Sequence, residues 1–264
     1  MHFDLSFFQH LLFHPPGSFV QGAIRTVYLA IIAQALGVVL GLLLALWRRS
    51  RHAVPRVFAS GYIWLIRGTP LLVQAVIIYD GSSAMGLYSF RTLSLGPVSV
   101  PGVVQAGIVT LALNEGAYMA EIMRAAIDSV DTGQTEAAES LGLRRRQAMR
   151  HVVLPQAMRV VIPPLGNEFN NMLKVTSLLS VIGLQELFLA AQDYNSTTFR
   201  TFEIFLVVAI YYIAMTTIWS FVQSAIERRL RAKGGEALAT VTLRQRLFGG
   251  GGGLVPGDLL RGAR

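Results

Sequence analysis

Hydrophobic residues along this chain gather into five long runs, and basic residues or helix breakers stand at their edges. The first clear run, Gly22 to Trp47, is rich in Leu, Val, Ile and Ala and exceeds the roughly 20 apolar residues that a hydrocarbon core requires. Arg48, Arg49, Arg51 and Arg56 follow it, which puts that end inside and the N-terminus outside. Gly37 and Gly41 form a small-xxx-small pair that would let another helix approach. The second run, about Val57 to Tyr79, is interrupted by Arg67-Gly68-Thr69-Pro70. An arginine within a span is costly unless it snorkels or is paired, and Pro70 removes a helical hydrogen bond, so the pattern predicts a bend near the cytoplasmic side. Residues 80–101, where Gly, Ser and Pro recur and Arg91 is the one cation, read as an external loop.

The third run extends from Gly102 to about Arg124 and contains Asn114 and Glu115. Thr110, Asn114, Tyr118 and Glu121 share one helical face, which should point into protein; Glu121 and Arg124, three apart, suit a local ion pair. The fourth run, about Val160 to Leu189, is the least hydrophobic. Asn167, Asn170 or Asn171, Lys174 and Ser177 lie on one side of it with Glu168 adjacent, and such a stripe has to line a cavity or an interface. The fifth run, about Phe202 to Val222, leaves through Glu227-Arg228-Arg229-Leu230-Arg231, again a basic inner end. The predicted architecture is all-α: a polytopic membrane protein with five transmembrane helices, N-terminus outside and C-terminus cytoplasmic.

Between the third and fourth runs stands the longest charged and helix-friendly interval, TEAAESLGLRRRQAMRHVVLP, Thr135 to Pro155. It reads as two short helices meeting at Gly142, the second carrying Arg144, Arg145, Arg146, Arg150 and His151 and ending at Pro155. So many cations keep it out of hydrocarbon and on the cytoplasmic side.

Composition narrows the classes. A hydrophobic fraction of 53%, 14% charged residues and a mean hydropathy of +0.50 leave more apolar surface than a soluble domain of 264 residues can bury. The net charge of +8 comes from arginines at the edges of apolar runs, where they act as topological anchors, so nucleic acid is set aside. Without cysteine there is no disulfide or thiolate metal site to read. Neither lysine, Lys174 nor Lys233, follows a glycine as a phosphate-binding loop needs, and no HExxH or GxSxG pattern occurs. An enzyme is therefore not expected, nor a metal site. Residues 1–20 are expected to be an external segment, resting on the outer interface or disordered; a basic start and small-residue cleavage site are not seen. Residues 232–264, with five consecutive glycines, are expected to be a disordered cytoplasmic tail, leaving 21–231 as one membrane domain.

Four stretches carry a resemblance. Glu136-Ala137-Ala138, then Gly142, Val152 and Leu154-Pro155, at these spacings, resemble the EAA loop of bacterial ABC importer permeases, with Val152 where isoleucine is frequent. RGTPLLVQ, Arg67 to Gln74, is similar to a signature of the polar amino acid branch of that family. NEGAYMAEIMR, Asn114 to Arg124, is similar to the segment entering the loop, although Glu115 replaces a residue that is more often small or aromatic. The family's KDTSL signature appears as Lys174-Val175-Thr176-Ser177-Leu178, so no carboxylate stands at its second position. The resemblance covers residues 22 to about 231.

It implies a type-I importer permease of the bacterial inner membrane whose loop between the third and fourth helices is a coupling helix. That helix docks on a separate ATPase dimer, where ATP and Mg are used; this chain itself holds no cofactor. The other implied partners are an external substrate-binding protein and a second permease, either another copy or a paralogue. Candidate pathway residues are Asn114, Glu115, Asn167, Glu168, Asn171, Lys174, Thr176 and Ser177. An α-amino acid needs donors for its carboxylate and an acceptor for its ammonium, which Asn167, Asn171 and Glu168 would supply. Glu115 adds a second acid, so a cationic substrate such as arginine, lysine, histidine or an opine is expected; glutamine, glutamate or cystine is the alternative. Glu168 has a structural alternative, a pair with Lys174. The rival class is a secondary transporter or channel in which Glu115, Glu168 and Lys174 carry ions.

Overall fold

The computed structural model describes residues 3–96 and 98–232, and residues 1–227 form one compact unit. Of the second unit, residues 228–232 are described and are helical. The expected tail at 232–264 lies, but for Ala232, outside the described residues.

Pro16 precedes α2 (Gly17–Arg48), a 32-residue helix that at the usual rise is about 48 Å long. It begins earlier than the first apolar run because Gly17, Ser18 and Gln21 are compatible with helix without being apolar. Ahead of it, α1 (Leu5–Phe13) is an ordered helix. Asp4 caps it, accepting hydrogen bonds from Phe7 N at 3.0 Å and Ser6 Oγ at 2.7 Å. The Arg200 guanidinium reaches Asp4 Oδ2 at 2.5 Å, and Leu11 is buried against Phe19, Leu187 and Ile204. The contacts to Arg200 and Ile204 span more than 190 positions and hold residues 5–13 as an ordered helix packed on the fold.

The second apolar run is two helices, α3 (Ala53–Arg67) and α4 (Leu71–Val76). The chain continues from α4 through a π turn (Ile77–Gly81) into α5 (Ser82–Ala84), and this segment turns 108° from α3. The bend at Arg67–Pro70 is therefore far sharper than a proline kink. Within the expected external loop, Leu93–Leu95 (β1) and Val98–Val100 (β2) form an antiparallel hairpin, the one departure from an all-α fold among the described residues.

Helix α6 (Gly102–Asp128) runs parallel to α2, and the two pack closely because small residues meet at their crossing. A Cβ on Gly37 would stand 2.5 Å from Glu115 Cγ, and one on Gly41 would stand 2.4 Å from Met119 Cβ. Leu40 fills the space over Gly116 in return. At their C-terminal ends Arg48 pairs with Glu121 and Arg49 with Asp128 at 2.7 Å. Arg124 bridges Glu121 at 2.9 Å and Asp128 at 3.0 Å, so the local pair expected from spacing is one link in a five-residue network.

Next come α7 (Thr132–Ser140) and α8 (Arg145–Ala148), which flank Gly142 as expected. Pro155 does not end the second helix. A π turn (Met149–Val153) carries α8 into α9 (Leu154–Val175), and Pro155 sits in the first turn of α9 just past the π turn. Nor does the fourth run extend unbroken to Leu189: a 3-10 segment (Thr176–Ile182) ends at Gly183, whose φ of +78° a helix cannot continue. Glu186 then caps α10 (Leu187–Thr198), accepting from Phe188 N and Leu189 N at 2.9 Å each and from the Tyr212 hydroxyl. The two pieces meet at 52°. Helix α11 (Thr201–Ala232) closes the fold, its Trp219 Nε1 donating to Gly166 O of α9 at 2.7 Å.

Among the described residues, Gly17–Arg48 and Thr201–Leu230 are each long and apolar enough to cross a membrane, and the count rises to four if each bent pair is one span. Helix α6 has the length, at 27 residues, but carries Gln105, Asn114 and Glu115. The central core, with Leu29, Ala33, Ala75, Leu111, Phe169, Met172 and Leu179, sits where α2, α4, α6, α9 and the 3-10 segment converge.

Candidate functional site

The break between α3 and α4 leaves backbone carbonyls without helical partners. Thr69 Oγ1 donates to Leu65 O at 2.9 Å. Gln74, one turn into α4 and 6% exposed, folds its side chain back: Nε2 lies 2.7 Å from Ile66 O, 3.0 Å from Thr69 O and 2.8 Å from Thr69 Oγ1. Its Oε1 accepts from Asn114 Nδ2 of α6 at 3.0 Å, so the break is tied to the face of α6 that carries the polar residues.

A cavity of about 500 Å³ opens against this break. Arg67, Gly68, Thr69 and Pro70 line one side, Asn114, Glu115 and Tyr118 of α6 a second, and Glu168, Asn171 and Val175 of α9 a third. The spacing explains the assembly, since positions three or four apart on each helix face the same way. The Arg67 guanidinium stands over the Tyr118 ring, 5.3 Å from its centre. Glu115 is buried, and Gln34 Nε2 of α2 donates to its Oε1 at 2.8 Å across the space that Gly37 leaves free. Glu168 is half-buried and takes a hydrogen bond from the Asn171 amide. The cavity thus presents two carboxylates, two amides and a guanidinium, which suits a ligand carrying both charges.

The four bend residues and Asn114, Glu115, Glu168 and Asn171, expected separately, lie together here. Four other candidates do not line it. Asn167 is turned toward α11, where Gln223 Nε2 donates to its Oδ1 at 3.3 Å. Lys174 is exposed, and no ion pair joins it to Glu168 among the described residues. Thr176 Oγ1 donates to Leu173 O at 3.0 Å and Ser177 Oγ to Lys174 O at 2.7 Å, so both hydroxyls bond their own helix. Gln34 carried no sequence expectation and Gln74 only that of closing the RGTPLLVQ signature, although each is a lone amide inside an apolar run.

At the loop, Gly142 has φ +86°, its N–H donating to Glu139 O at 2.9 Å and that of Leu143 to Ala138 O at 3.1 Å. These are the contacts of a left-handed helix cap. Ala138 and Ala148 are buried, whereas Glu136, Ala137, Gly142, Leu154 and Pro155 are exposed, and Leu141 is 85% exposed. The interval therefore offers an ordered two-helix surface with its basic residues outward.

Helices of membrane-spanning length around a polar cavity, with an exposed basic helical loop between two of them, define a polytopic helical membrane protein. The chain belongs to the family of binding-protein-dependent transport system inner membrane components, whose model matches residues 37–232. It is 37% identical over 212 residues to the glutamine transport system permease protein GlnP of Escherichia coli, covering 80% of this chain and 92% of that one. It is 36% identical over 243 residues to the arginine transport system permease protein ArgU of Corynebacterium glutamicum, covering 90% of this chain and 75% of that one. Among solved structures, an amino acid ABC transporter crystallised with histidines matches with a TM-score of 0.74 and 40% identity, over 87% of this chain and all of that one. An inward-facing form of the MetNI methionine ABC transporter matches in fold alone, at 18% identity and a TM-score of 0.64 over 81% of this chain and 96% of that one.

Proposed function

We propose that this chain is the membrane-spanning subunit of an ABC importer for a polar amino acid, with a preference for cationic side chains. Its five crossings are α2, the α3–α5 pair, α6, α9 with its 3-10 extension, and α11, with the N-terminus outside and the basic ends inside. An ATPase dimer docks on the α7–Gly142–α8 surface and hydrolyses ATP there; a second permease and an external substrate-binding protein complete the transporter.

One observation carries the substrate reading: Glu115 and Glu168 share a cavity with two amides at the bend of a broken helix. Gly37, which faces Glu115, lies about 16 Å along α2 from Arg48, so the acid sits near the middle of a hydrocarbon core about 30 Å thick. At that depth a carboxylate is retained for a partner, and a translocating cation supplies one. A neutral amide substrate is the second reading, favoured by the relatives named for glutamine and by Asn114 and Asn171. Purifying the transporter with its ATPase and measuring hydrolysis against a panel of amino acids separates them. Stimulation by arginine, lysine or histidine, weakened in Glu168→Gln, supports the first reading. Stimulation by glutamine alone, unchanged in that variant, replaces it with the second.

A further inference from the structure

Gln74 lies outside the cavity lining, yet its bonds fix what one corner of the cavity can recognise. Ile66 O and Thr69 O are backbone carbonyls and can only accept hydrogen bonds. The end of the Gln74 amide that faces them, at 2.7 and 3.0 Å, must therefore be the NH2 group. Thr69 Oγ1 agrees, because its own proton is directed to Leu65 O at 2.9 Å and it is left to accept from Gln74 at 2.8 Å. The opposite end of Gln74 is then the oxygen. Asn114, 3.0 Å from it, must turn its own NH2 group toward Gln74. With its NH2 group held against Gln74, Asn114 has Oδ1 as its one acceptor for the cavity, beside the second N–H of that NH2 group. The orientation follows from three backbone carbonyls and one hydroxyl whose proton is already committed, and does not rest on telling nitrogen from oxygen at either amide.

We infer that Gln74 is a positioning residue that locks Asn114 with its carbonyl oxygen toward the ligand, making this corner of the cavity a hydrogen-bond acceptor for an N–H of the transported amino acid. The inference rests on the reading of this cavity as the substrate site. Its chemical content is specific. With Glu115 of α6 and Glu168 of α9 also accepting, the part of the cavity between α6 and α9 takes the ammonium or a cationic side chain, and the substrate carboxylate must lie elsewhere, nearest the Arg67 guanidinium. Without Gln74 the Asn114 amide is free to rotate, and half of its orientations present donors instead.

The test uses the assembled transporter, with ATPase and binding protein, and L-arginine as the probe, with L-glutamine in parallel. Half-saturating concentration and maximal rate of stimulated hydrolysis are measured for Asn114→Leu, Gln74→Met and the double variant. A hydrogen bond to a charged group lost from a binding site weakens binding about tenfold or more. Each single variant is expected to raise the half-saturating concentration about tenfold, and the double variant to raise it no further, because Gln74 acts through Asn114. A role confined to bracing the bend would lower the maximal rate and leave half-saturation alone, which overturns the inference. So does a double variant whose effect is the product of the two singles. If Asn114→Leu leaves half-saturation unchanged, the substrate does not touch Asn114, and the cavity reading fails at this corner together with the inference. Should Gln74→Met not reach the membrane, a structure of the wild-type transporter with bound L-arginine decides. A substrate nitrogen within hydrogen-bond reach of Asn114, with the Gln74 contact kept, supports the inference, and a substrate carboxylate against Asn114 overturns it.

Discussion

Replacing Gly37 by alanine adds a single methyl group at the crossing of α2 and α6, where Glu115 Cγ and Cβ stand 2.5 and 2.6 Å from the new carbon's position. Non-bonded carbons settle at about 3.5–4.0 Å, so the helices must part by about 1 Å or Glu115 must leave its rotamer. Overpacking of this kind costs about 1–3 kcal/mol. The atom displaced belongs to a cavity carboxylate, so the 2.8 Å hydrogen bond from Gln34 and the geometry of the site shift together. Gly61→Ala is the control: its Cβ would meet nothing within 4 Å, and alanine is the better helix former. The assay is reversible unfolding of the purified chain in mild detergent, followed by amino acid uptake at matched membrane abundance. Gly37→Ala should be less stable by about 1–3 kcal/mol and impaired in uptake, and Gly61→Ala should match or exceed the wild type. A Gly37→Ala protein with wild-type stability and uptake would refute the close α2–α6 crossing and the placement of Glu115 that depends on it.

Further outcomes follow from other parts of the fold. Gly142→Val forces a β-branched residue to φ +86°, at about 1–3 kcal/mol, so membrane abundance should hold while ATPase co-purification and uptake fall; unchanged recovery of ATPase with full uptake would count against the docking surface. Glu186→Ala leaves Phe188 N, Leu189 N and the Tyr212 hydroxyl without their acceptor and should cost about 2–4 kcal/mol in thermal denaturation, with Glu186→Gln closer to wild type; equal melting of the two variants would contradict the cap. The Phe7 N–H, then Ser6 and Arg200, hold the Asp4 carboxyl well below the usual carboxylate range. A depressed folded value stabilises above the unfolded pKa and is lost as pH falls through the folded one, so α1 should stay docked at pH 5 and loosen only in stronger acid. Amide exchange of residues 5–13 against pH reads this directly, and Asp4→Asn should speed that exchange at neutral pH.

The long apolar runs, their arginine borders and the bend at Arg67–Pro70 could be read from the chain because each is a local property of composition or of one proline. The loop helices were legible for the same reason, Gly142 standing alone between strong helix formers. The end of the fourth run was not. Apolar residues continue on both sides of Gly183–Glu186, and the break depends on the φ of Gly183 and on a cap completed by Tyr212 of a different helix. The cavity lining was legible by halves. Helical spacing placed both Asn167 and Asn171 on polar positions of α9, and the packing of Gln223 from α11 decides that only Asn171 faces the cavity. Thr176 and Ser177 belong to a recognisable signature, yet their hydroxyls bond carbonyls three residues back. Gln74 closes the RGTPLLVQ signature, yet its role is not legible there, because most of its acceptors are backbone carbonyls exposed by the bend.

Uptake into proteoliposomes decides whether this chain imports a cationic amino acid at the expense of ATP. The chain reconstituted with the proposed second permease and ATPase, given the proposed external binding protein, ATP and a radiolabelled cationic amino acid, should accumulate substrate only when ATP is present on the ATPase side. Glu115→Gln combined with Glu168→Gln should abolish the preference for the cationic substrate over glutamine. Accumulation by the permease chains alone, without ATPase or ATP, would contradict the account.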